Sequence, residues 1–257
     1  MEIQEKEIYH RTERLLGPEA MERIRTARVI IFGIGGVGSW CAESLVRSGI
    51  SRLTIADPDS IAATNINRQL MATTKTVGRP KVEALKEHLL DICPSAEITT
   101  LQTAYSKETK DSFHLENYDY IIDCIDSLKD KIQLILHATA TKHNNDGNAD
   151  TRPVFFSSMG AALRMDPLKV RVTEFWKVKN DTLGALLRKR MRQKKLLPER
   201  KFLCVYSEEL PMENQGLTDE TCDYKAVING SLHHVTGIFG FTLAGLVISD
   251  IKAKAGI

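Results

Sequence analysis

A glycine-rich segment is the first part of the chain whose residue types and spacing could do chemistry. Residues 33–38 read Gly-Ile-Gly-Gly-Val-Gly and match the pattern G-x-G-x-x-G between a predicted strand and a predicted helix. Because glycines carry no side chain, backbone N–H groups and a helix N-terminus can approach phosphates there. Asp57 lies at the tip of the next predicted strand, where a carboxylate can bind ribose hydroxyls. These two features alone favour an enzyme that binds a nicotinamide dinucleotide.

Two cations after Asp57 change that interpretation. Residues 64–69 read Thr-Asn-Ile-Asn-Arg-Gln, which places amides and the Arg68 guanidinium just beyond the ribose position. An arginine fork suits phosphate oxygens. Lys81 begins the next predicted helix, so a second cation can reach the same phosphates. Hydride transfer has no evident need of two such cations, and the pattern therefore favours chemistry on phosphates.

A carboxylate follows the next predicted strand. Residues 123–127 read Asp-Cys-Ile-Asp-Ser, which puts Asp126 at the carboxyl edge of the sheet, where ligands of open α/β folds bind. A carboxylate in that place suits Mg²⁺ that bridges phosphates. Asp126 could instead cap the helix that starts near Leu128, which is a common role for aspartate. The residues alone leave both interpretations open.

The elements that position these residues alternate along the chain. Strands are predicted at 28–32, 53–56, 97–101, 120–124, 154–157, 170–175 and 203–206. Helices are predicted at 40–47, 80–92, 107–115 and 181–194, with a buried apolar helix over 235–248. Alternating strands and helices imply a parallel sheet covered on both faces. The expected fold class is α/β, a Rossmann-type mostly parallel sheet flanked by helices, with a C-terminal mixed-sheet extension.

Three parts are expected along the chain: an N-terminal helical segment (1–24), a nucleotide-binding Rossmann-like part (25–150) and a C-terminal extension (151–257). The polar segment 144–151 is predicted to be a surface loop near the second boundary. Apolar residues make up 42% and charged residues 26% of the 257 residues, which is typical of soluble globular proteins. The N-terminus lacks the apolar core of a signal peptide, and the 235–248 stretch falls short of the roughly 20 residues that cross a bilayer. We therefore expect a cytoplasmic protein without a membrane span.

Cysteines and basic residues give weaker signals. The five cysteines (Cys41, Cys93, Cys124, Cys204 and Cys222) form no C-x-x-C pair, so the sequence indicates neither a disulfide framework nor a zinc site. Cys204 and Cys222 are minor candidates for a nucleophile. The basic segment 188–201 is by default a solvated helix face, and becomes a phosphate-binding candidate in a protein that holds nucleic acid. The role of the pair His233 and His234 stays open.

Taken in order, these motifs resemble the ThiF/MoeB-like adenylating enzymes, relatives of the ubiquitin-activating enzymes. The family pattern includes the glycine turn, D-x-D, N-x-x-R-Q, a lysine and D-x-x-D, and each is present. More narrowly, the chain is similar to the tRNA threonylcarbamoyladenosine dehydratases through Arg-Thr-Glu at 11–13, the segments 33–39, 64–69 and 77–83, and Ser-Ser-Met-Gly-Ala-Ala at 157–162 followed by Asp-Pro at 166–167. The resemblance runs through almost the whole chain.

The resemblance implies ATP-dependent dehydration, by cyclisation, of threonylcarbamoyladenosine next to the anticodon of tRNA, through adenylation of the threonyl carboxylate. It implies catalytic roles for Arg11, Arg68, Lys81 and Asp126, with Asp126 also holding Mg²⁺. The ATP site it implies comprises Gly33, Gly35, Gly36, Gly38, Asp57, Asn65, Asn67, Arg68, Gln69, Lys81, Asp126 and Ser127.

The resemblance also implies partners. In a homodimer, Arg11 would reach the γ-phosphate bound by the neighbouring subunit, and Arg14 is a rival for that role. The C-terminal extension would supply substrate and dimer contacts, and the basic segment 188–201 would contact tRNA. A monovalent cation (K⁺ or Na⁺) and a sulfur-transfer or desulfurase partner complete the expectations.

Three alternatives remain. An activator of a ubiquitin-like sulfur carrier typically has paired zinc cysteines, which are absent, and residues 225–228 read Lys-Ala-Val-Ile where a cysteine would be sought. A nicotinamide-dependent oxidoreductase would bind NAD(H) and release no pyrophosphate. A nucleotide-binding module would bind ATP without turnover.

Overall fold

The computed structural model describes residues 4–143, 152–215 and 229–256. Seven strands form one sheet: β1 (Arg28–Phe32), β2 (Arg52–Ala56), β3 (Glu97–Leu101), β4 (Tyr120–Asp123), β5 (Val154–Ser158), β6 (Val170–Glu174) and β7 (Leu203–Ser207). Their order is β3-β2-β1-β4-β5-β7-β6, and every neighbouring pair is parallel except the antiparallel pair β6 and β7. The predicted α/β fold with a C-terminal mixed-sheet extension is confirmed.

Eight α-helices accompany the sheet in the described ranges: α1 (Glu5–Ile8), α2 (His10–Leu16), α3 (Pro18–Thr26), α4 (Gly38–Arg47), α5 (Lys81–Ile92), α6 (Leu128–Ala140), α7 (Thr182–Gln193) and α8 (His233–Lys254). One core contains Ile31 of β1 with Leu45 of α4 and Phe239 of α8. A second core contains Ile30 of β1 and Ile135 of α6. Because successive residues of β1 enter opposite cores, both faces of the sheet are covered, which explains the uninterrupted apolar run of this strand.

Helix α8 is longer than the apolar stretch that predicted it. It has 22 residues, and by length and mean hydropathy (1.5) it could cross a membrane, but half of its apolar window is buried within the protein. Leu243 and Val247 belong to the first core. A Cβ at Gly240 would lie 2.5 Å from the carbonyl oxygen of Val37, so glycine lets α8 approach the start of α4 closely.

One predicted helix is wrong. The segment 107–115 forms two short 3₁₀ turns, Lys110–Phe113 and Leu115–Asn117, and His114 between them has a left-handed backbone (φ 47°). Ser106 N–H donates to Thr109 Oγ1 (2.9 Å), and Thr109 Oγ1 donates to Ala104 O (2.7 Å). These side-chain bonds satisfy the backbone groups that a helix would have used.

Strands from both sides of the predicted domain boundary near residue 150 belong to the same sheet. Strand β4 pairs with β5, and β5 pairs with β7, so the nucleotide-binding part and the C-terminal extension share one sheet. The division of the chain at residues 24 and 150 stays a prediction. The predicted loop at 144–151 lies outside the described residues.

Candidate functional site

A cleft of about 730 Å³ lies at the carboxyl edge of the sheet. Residues that follow β1, β2, β3, β4, β5 and β7 line it. The carboxyl ends of parallel strands are the usual ligand site of open α/β sheets. Most of the residues predicted from the sequence to bind a nucleotide meet in this cleft: Gly33, Gly35, Gly36, Asp57, Arg68, Gln69, Lys81, Asp126 and Ser127.

The glycine turn is closely packed. Gly33 has a positive φ of 80°, and a Cβ there would lie 2.7 Å from the carbonyl oxygen of Cys124. A Cβ at Gly38 would lie 1.9 Å from the carbonyl oxygen of Gly33, so Gly38 shapes the turn from outside the cleft lining. Helix α4 begins at Gly38, so the positive end of its dipole lies at the turn, while the N–H groups of Ser39 and Cys41 donate to the carbonyl oxygens of Gly35 and Val37. A helix N-terminus beside glycines is suited to an anion.

Asp57 and Lys81 form a buried charged group beside the turn. Asp57 accepts hydrogen bonds from the N–H of Ile34 and of Asp59 (both 3.0 Å). Lys81 Nζ lies 2.7 Å from Asp59 Oδ2 and 3.5 Å from Asp57 Oδ1. Burial raises the pKa of Asp57, and the Lys81 charge opposes that shift. One lysine faces two carboxylates here.

The loop after β2 places Arg68 against the glycine turn. A Cβ at Gly36 would lie 3.1 Å from Arg68 Cγ and 3.3 Å from Thr236 Cβ of α8. Arg68 donates to Thr64 O and Asn67 Oδ1, and Asn67 donates to Ser231 O (3.0 Å). Asn67 thus ties the loop to the start of α8 and does not line the cleft.

Two neighbours of Arg68 differ in what they contact. Asn65 Oδ1 accepts the N–H of Ala62 (3.0 Å), so Asn65 stabilises the loop from outside the cleft lining. Gln69 is buried and lines the cleft beside Gly35, and its Oε1 has no hydrogen-bond partner in the described part of the chain. A buried amide without a partner fits a ligand that supplies one.

Asp126 lies free in the cleft. Its side chain is exposed and makes no hydrogen bond or ion pair with the described residues, although Asp130 and Ser127 lie beside it and bond to each other (2.7 Å). Helix α6 has Ser127 at its N-cap position, so the alternative that Asp126 caps this helix is not observed. The described residues contain no cluster of three or more histidine, cysteine or acidic side chains for a metal. One free carboxylate fits Mg²⁺, which takes most of its ligands from phosphates and water.

A buried ion pair that was not predicted from the sequence holds the turn that carries Asp126. Lys131 Nζ lies 2.8 Å from Asp123 Oδ2 and donates to the carbonyl oxygen of Ile125 (2.9 Å), and both charged side chains have no exposed surface. Ile125 N–H and Ser157 Oγ also donate to Asp123 (3.0 and 2.7 Å). The available signal was the position of Lys131 four residues before Ile135, on the face of α6 that is buried.

The end of the cleft beyond β4 was also missed. Asp181 caps α7 by accepting the N–H of Gly184 (2.6 Å), and its other oxygen accepts the N–H of Gly160 (3.0 Å). Burial raises the pKa of Asp181. Arg164 donates to the carbonyl oxygens of Glu209 and Asn180. These bonds fix the segment after β5 against the start of α7.

Arg11 and Arg14 lie away from this cleft. Both are exposed on α2, and neither lines the cleft in the described part of the chain. His233 packs on the Trp40 ring (4.7 Å between ring centroids), and the ring nitrogen Nε2 of His234 lies 2.8 Å from Met165 O. The histidine pair thus makes structural contacts.

The two cysteines considered as nucleophiles are Cys204 and Cys222. Cys204 is buried in β7, and burial raises the pKa of its thiol well above the ordinary value, which is unfavourable for a nucleophile. Cys222 and residues 225–228 lie outside the described residues.

In the basic segment 188–201, Arg188 packs over the ring of Phe175 and Arg192 over the ring of Trp176. Arg200 donates to the carbonyl oxygens of Ala138 and Pro153, so part of the basic segment is engaged within the fold.

Comparisons with known proteins find relatives that match nearly the whole chain. The model of the ThiF family matches residues 9–251. The tRNA threonylcarbamoyladenosine dehydratase of Haemophilus influenzae is 34% identical over 251 residues, which cover 94% of this chain and 92% of that protein. The fold is similar to crystal structures of the E. coli tRNA N6-threonylcarbamoyladenosine dehydratase TcdA. The complex with AMP has a TM-score of 0.85 at 30% identity, with both chains fully covered. The complex with ATP has a TM-score of 0.83 at 29% identity, covering 100% of this chain and 99% of TcdA.

Proposed function

The chain belongs to the ThiF family, and we propose that it is an adenylating enzyme that uses ATP to dehydrate threonylcarbamoyladenosine next to the anticodon of tRNA. The observation that carries this proposal is one cleft in which the glycine turn, Arg68, Lys81 and a free Asp126 meet. Similarity to the dehydratases over nearly the whole chain supports the choice of substrate.

The reaction has two steps. A threonyl carboxylate oxygen attacks the α-phosphorus of ATP, and the bond from that phosphorus to the bridging oxygen of pyrophosphate breaks. The carbamoyl group of the same base then attacks the activated carbonyl, loses a proton to solvent and expels AMP. The product is a ring that has lost one water. Because the second step is intramolecular, it benefits from proximity and needs no catalytic cysteine.

The residues of the cleft supply the electrostatics of the first step. Arg68 and Lys81 stabilise the negative charge that develops on the phosphates, and the glycine turn presents its N–H groups to them. Lys81 is shared with Asp57 and Asp59, so phosphates would compete with Asp59, the more exposed of the two carboxylates. Asp57 holds the ribose hydroxyls. Mg²⁺ bound by Asp126 would neutralise phosphate charge during the attack.

The cation for the γ-phosphate comes from a second copy of the chain. Arg11 and Arg14 are exposed on α2 and do not line the cleft of their own chain. In a homodimer, Arg11 of the partner subunit would complete the site, and Arg14 of the partner subunit is the rival. A monovalent cation, K⁺ or Na⁺, and a sulfur-transfer or desulfurase partner belong to the same proposal. We place the enzyme in the cytoplasm.

The test is release of pyrophosphate and AMP from Mg-ATP, with tRNA that carries threonylcarbamoyladenosine and with tRNA that lacks it. We expect release only with the modified tRNA, together with loss of the mass of one water from the modified nucleoside. Asp126→Asn should lose the Mg²⁺-dependent turnover, while Lys129→Met, an exposed change on α6, should retain it. Release with a small carrier protein instead would favour the sulfur-carrier activator.

Mixing two variants tests whether Arg11 acts in the site of the partner subunit. Arg11→Ala and Asp126→Ala are inactive alone in this scheme, and mixing them creates dimers in which one site has both residues. Activity in the mixture is the expected result. An inactive Arg11→Ala that is not rescued by mixing would refute a role in trans, and the same experiment with Arg14→Ala decides between the two arginines.

A further inference from the structure

The cleft has two ends of different chemistry. Along the carboxyl edge, Asp57 follows β2, whereas Ser158 ends β5 and Pro211 follows β7. From β2 to β7 there are four strand spacings, or about 19 Å. The charged side chains of the cleft that are in contact with solvent, such as those of Asp59 and Asp126, lie at the end formed by β2, β1 and β4. At the β5 and β7 end the lining combines apolar side chains with the hydroxyls of Ser158 and Thr182 and with the charged groups of Arg164 and Asp181, which are buried. The apolar lining residues are Met159, Ala161, Ala162, Leu163, Leu183, Leu186 and Pro211.

Helix α7 forms the outer wall of the apolar end. Thr182, Leu183 and Leu186 line the cleft, and Leu186 is 47% exposed at its mouth. The start of the helix is fixed, since Asp181 binds both Gly184 of α7 and Gly160 of the opposite wall. Two hydrogen bonds to the buried Asp181 carboxylate therefore hold this wall of the cleft.

The same helix continues away from the cleft as a basic surface. Lys189 and Arg190 are exposed, and they lie three and four residues after Leu186, on the same face of α7. At 1.5 Å per residue, these cations begin only about 5 Å along the axis from Leu186. Leu187 and Met191 on the opposite face are buried in the second core.

We propose that the β5 and β7 end of the cleft is the pocket for a single modified base of an RNA loop, and that α7 binds the phosphates next to that base through Lys189 and Arg190. The proposal rests on the proposed function and names where its RNA substrate binds. An apolar pocket that opens beside cations complements an RNA loop, in which a base is turned out for stacking and its flanking phosphates carry charge. The pocket places the acceptor one or two strand spacings from Asp126, beside the nucleotide end.

Loss of a base contact and loss of a phosphate contact should change tRNA affinity in different ways. Leu186→Glu puts a carboxylate into the apolar mouth, so binding of modified tRNA should weaken by about tenfold or more, while unmodified tRNA changes less. Lys189→Ala with Arg190→Ala should weaken modified and unmodified tRNA by the same factor, and should reduce the slope of log affinity against log salt by about 1.4. ATP affinity should stay at the wild-type value in both variants.

The experiment measures tRNA affinity with and without the threonylcarbamoyl group over a range of salt concentrations, and ATP affinity by calorimetry, for the full chain. Leu168→Glu is the matched control, because Leu168 is exposed (80%) outside the cleft in the described residues, and it should bind both tRNAs like the wild type. Unchanged discrimination in Leu186→Glu, or a loss of ATP affinity equal to the loss of tRNA affinity, overturns the pocket assignment. A wild type that turns over modified tRNA upholds the proposed function even then. Equal wild-type affinity for the two tRNAs overturns the pocket assignment, and absence of turnover of the modified tRNA overturns the proposed function.

Discussion

Removal of Lys131 tests how strongly the buried ion pair holds the floor of the cleft. Lys131→Met leaves the Asp123 carboxylate without its counter-ion where neither side chain has exposed surface. Breaking such a pair from one side costs about 3–5 kcal/mol. Asp123 keeps hydrogen bonds from Ile125 N–H and Ser157 Oγ, which places the cost near the lower end. With a urea m-value near 3 kcal/mol/M, a loss of about 3 kcal/mol lowers the unfolding midpoint by about 1 M.

A double variant separates the cost of an unpaired buried charge from the cost of changed packing. Asp123→Asn with Lys131→Met carries no buried charge, and the Asn side-chain oxygen can still accept the Ile125 N–H. We expect it to be more stable than Lys131→Met alone, since replacing both members of a buried pair is far less costly than removing one. Lys129→Met, at an exposed position of α6, controls for the loss of a lysine and should change stability by less than about 0.5 kcal/mol.

Urea titrations followed by tryptophan fluorescence and circular dichroism give these midpoints. Equal unfolding midpoints of Lys131→Met and Lys129→Met, or a double variant no more stable than Lys131→Met, would refute this role of the ion pair. Because the pair also fixes the turn through Ile125, Lys131→Met should raise the KM for ATP, and Lys131→Arg should restore part of it.

Two further predictions concern helix α8 and a histidine beside the cleft. Gly245→Ala should stabilise the protein by up to about 1 kcal/mol, since its Cβ meets nothing within 4 Å, whereas Gly240→Ala should destabilise it because that Cβ would lie 2.5 Å from Val37 O. Thermal unfolding of the two variants measures the difference, and equal shifts would contradict it. Burial lowers the pKa of His137, whose ring nitrogen Nδ1 lies 2.7 Å from the Tyr105 hydroxyl. Below about pH 6.5 the unfolded chain binds a proton that the folded chain resists, so stability is lost as the pH falls, and His137→Gln should flatten that slope between pH 5 and about 7.

The phosphate-binding features could be predicted because they are local. The glycine turn needs a strand before it and a helix after it, and the three together span only residues 28–47. The same holds for Asp57, Lys81 and Asp126, which occupy the first positions after strands or at the start of a helix. Once the strands were assigned, parallel pairing had to bring those positions to one edge. The fold class followed from the same alternation.

Only the tertiary structure decided which side chains line the cleft and which hold its walls together. Asn67 matches the family motif, yet it binds Ser231, 164 positions away in the chain. The partners of Lys131, the bond between Asp181 and Gly160, and the contact of Thr236 with Gly36 also join separate elements. The helix predicted at 107–115 was wrong for the opposite reason, because local side-chain hydrogen bonds replaced those of a helix. The sequence by itself determined the strands, the glycine turn and the charges at the edge, since these depend on neighbours in the chain. The pocket beyond β4 depends on packing between distant segments, and no local pattern specifies it.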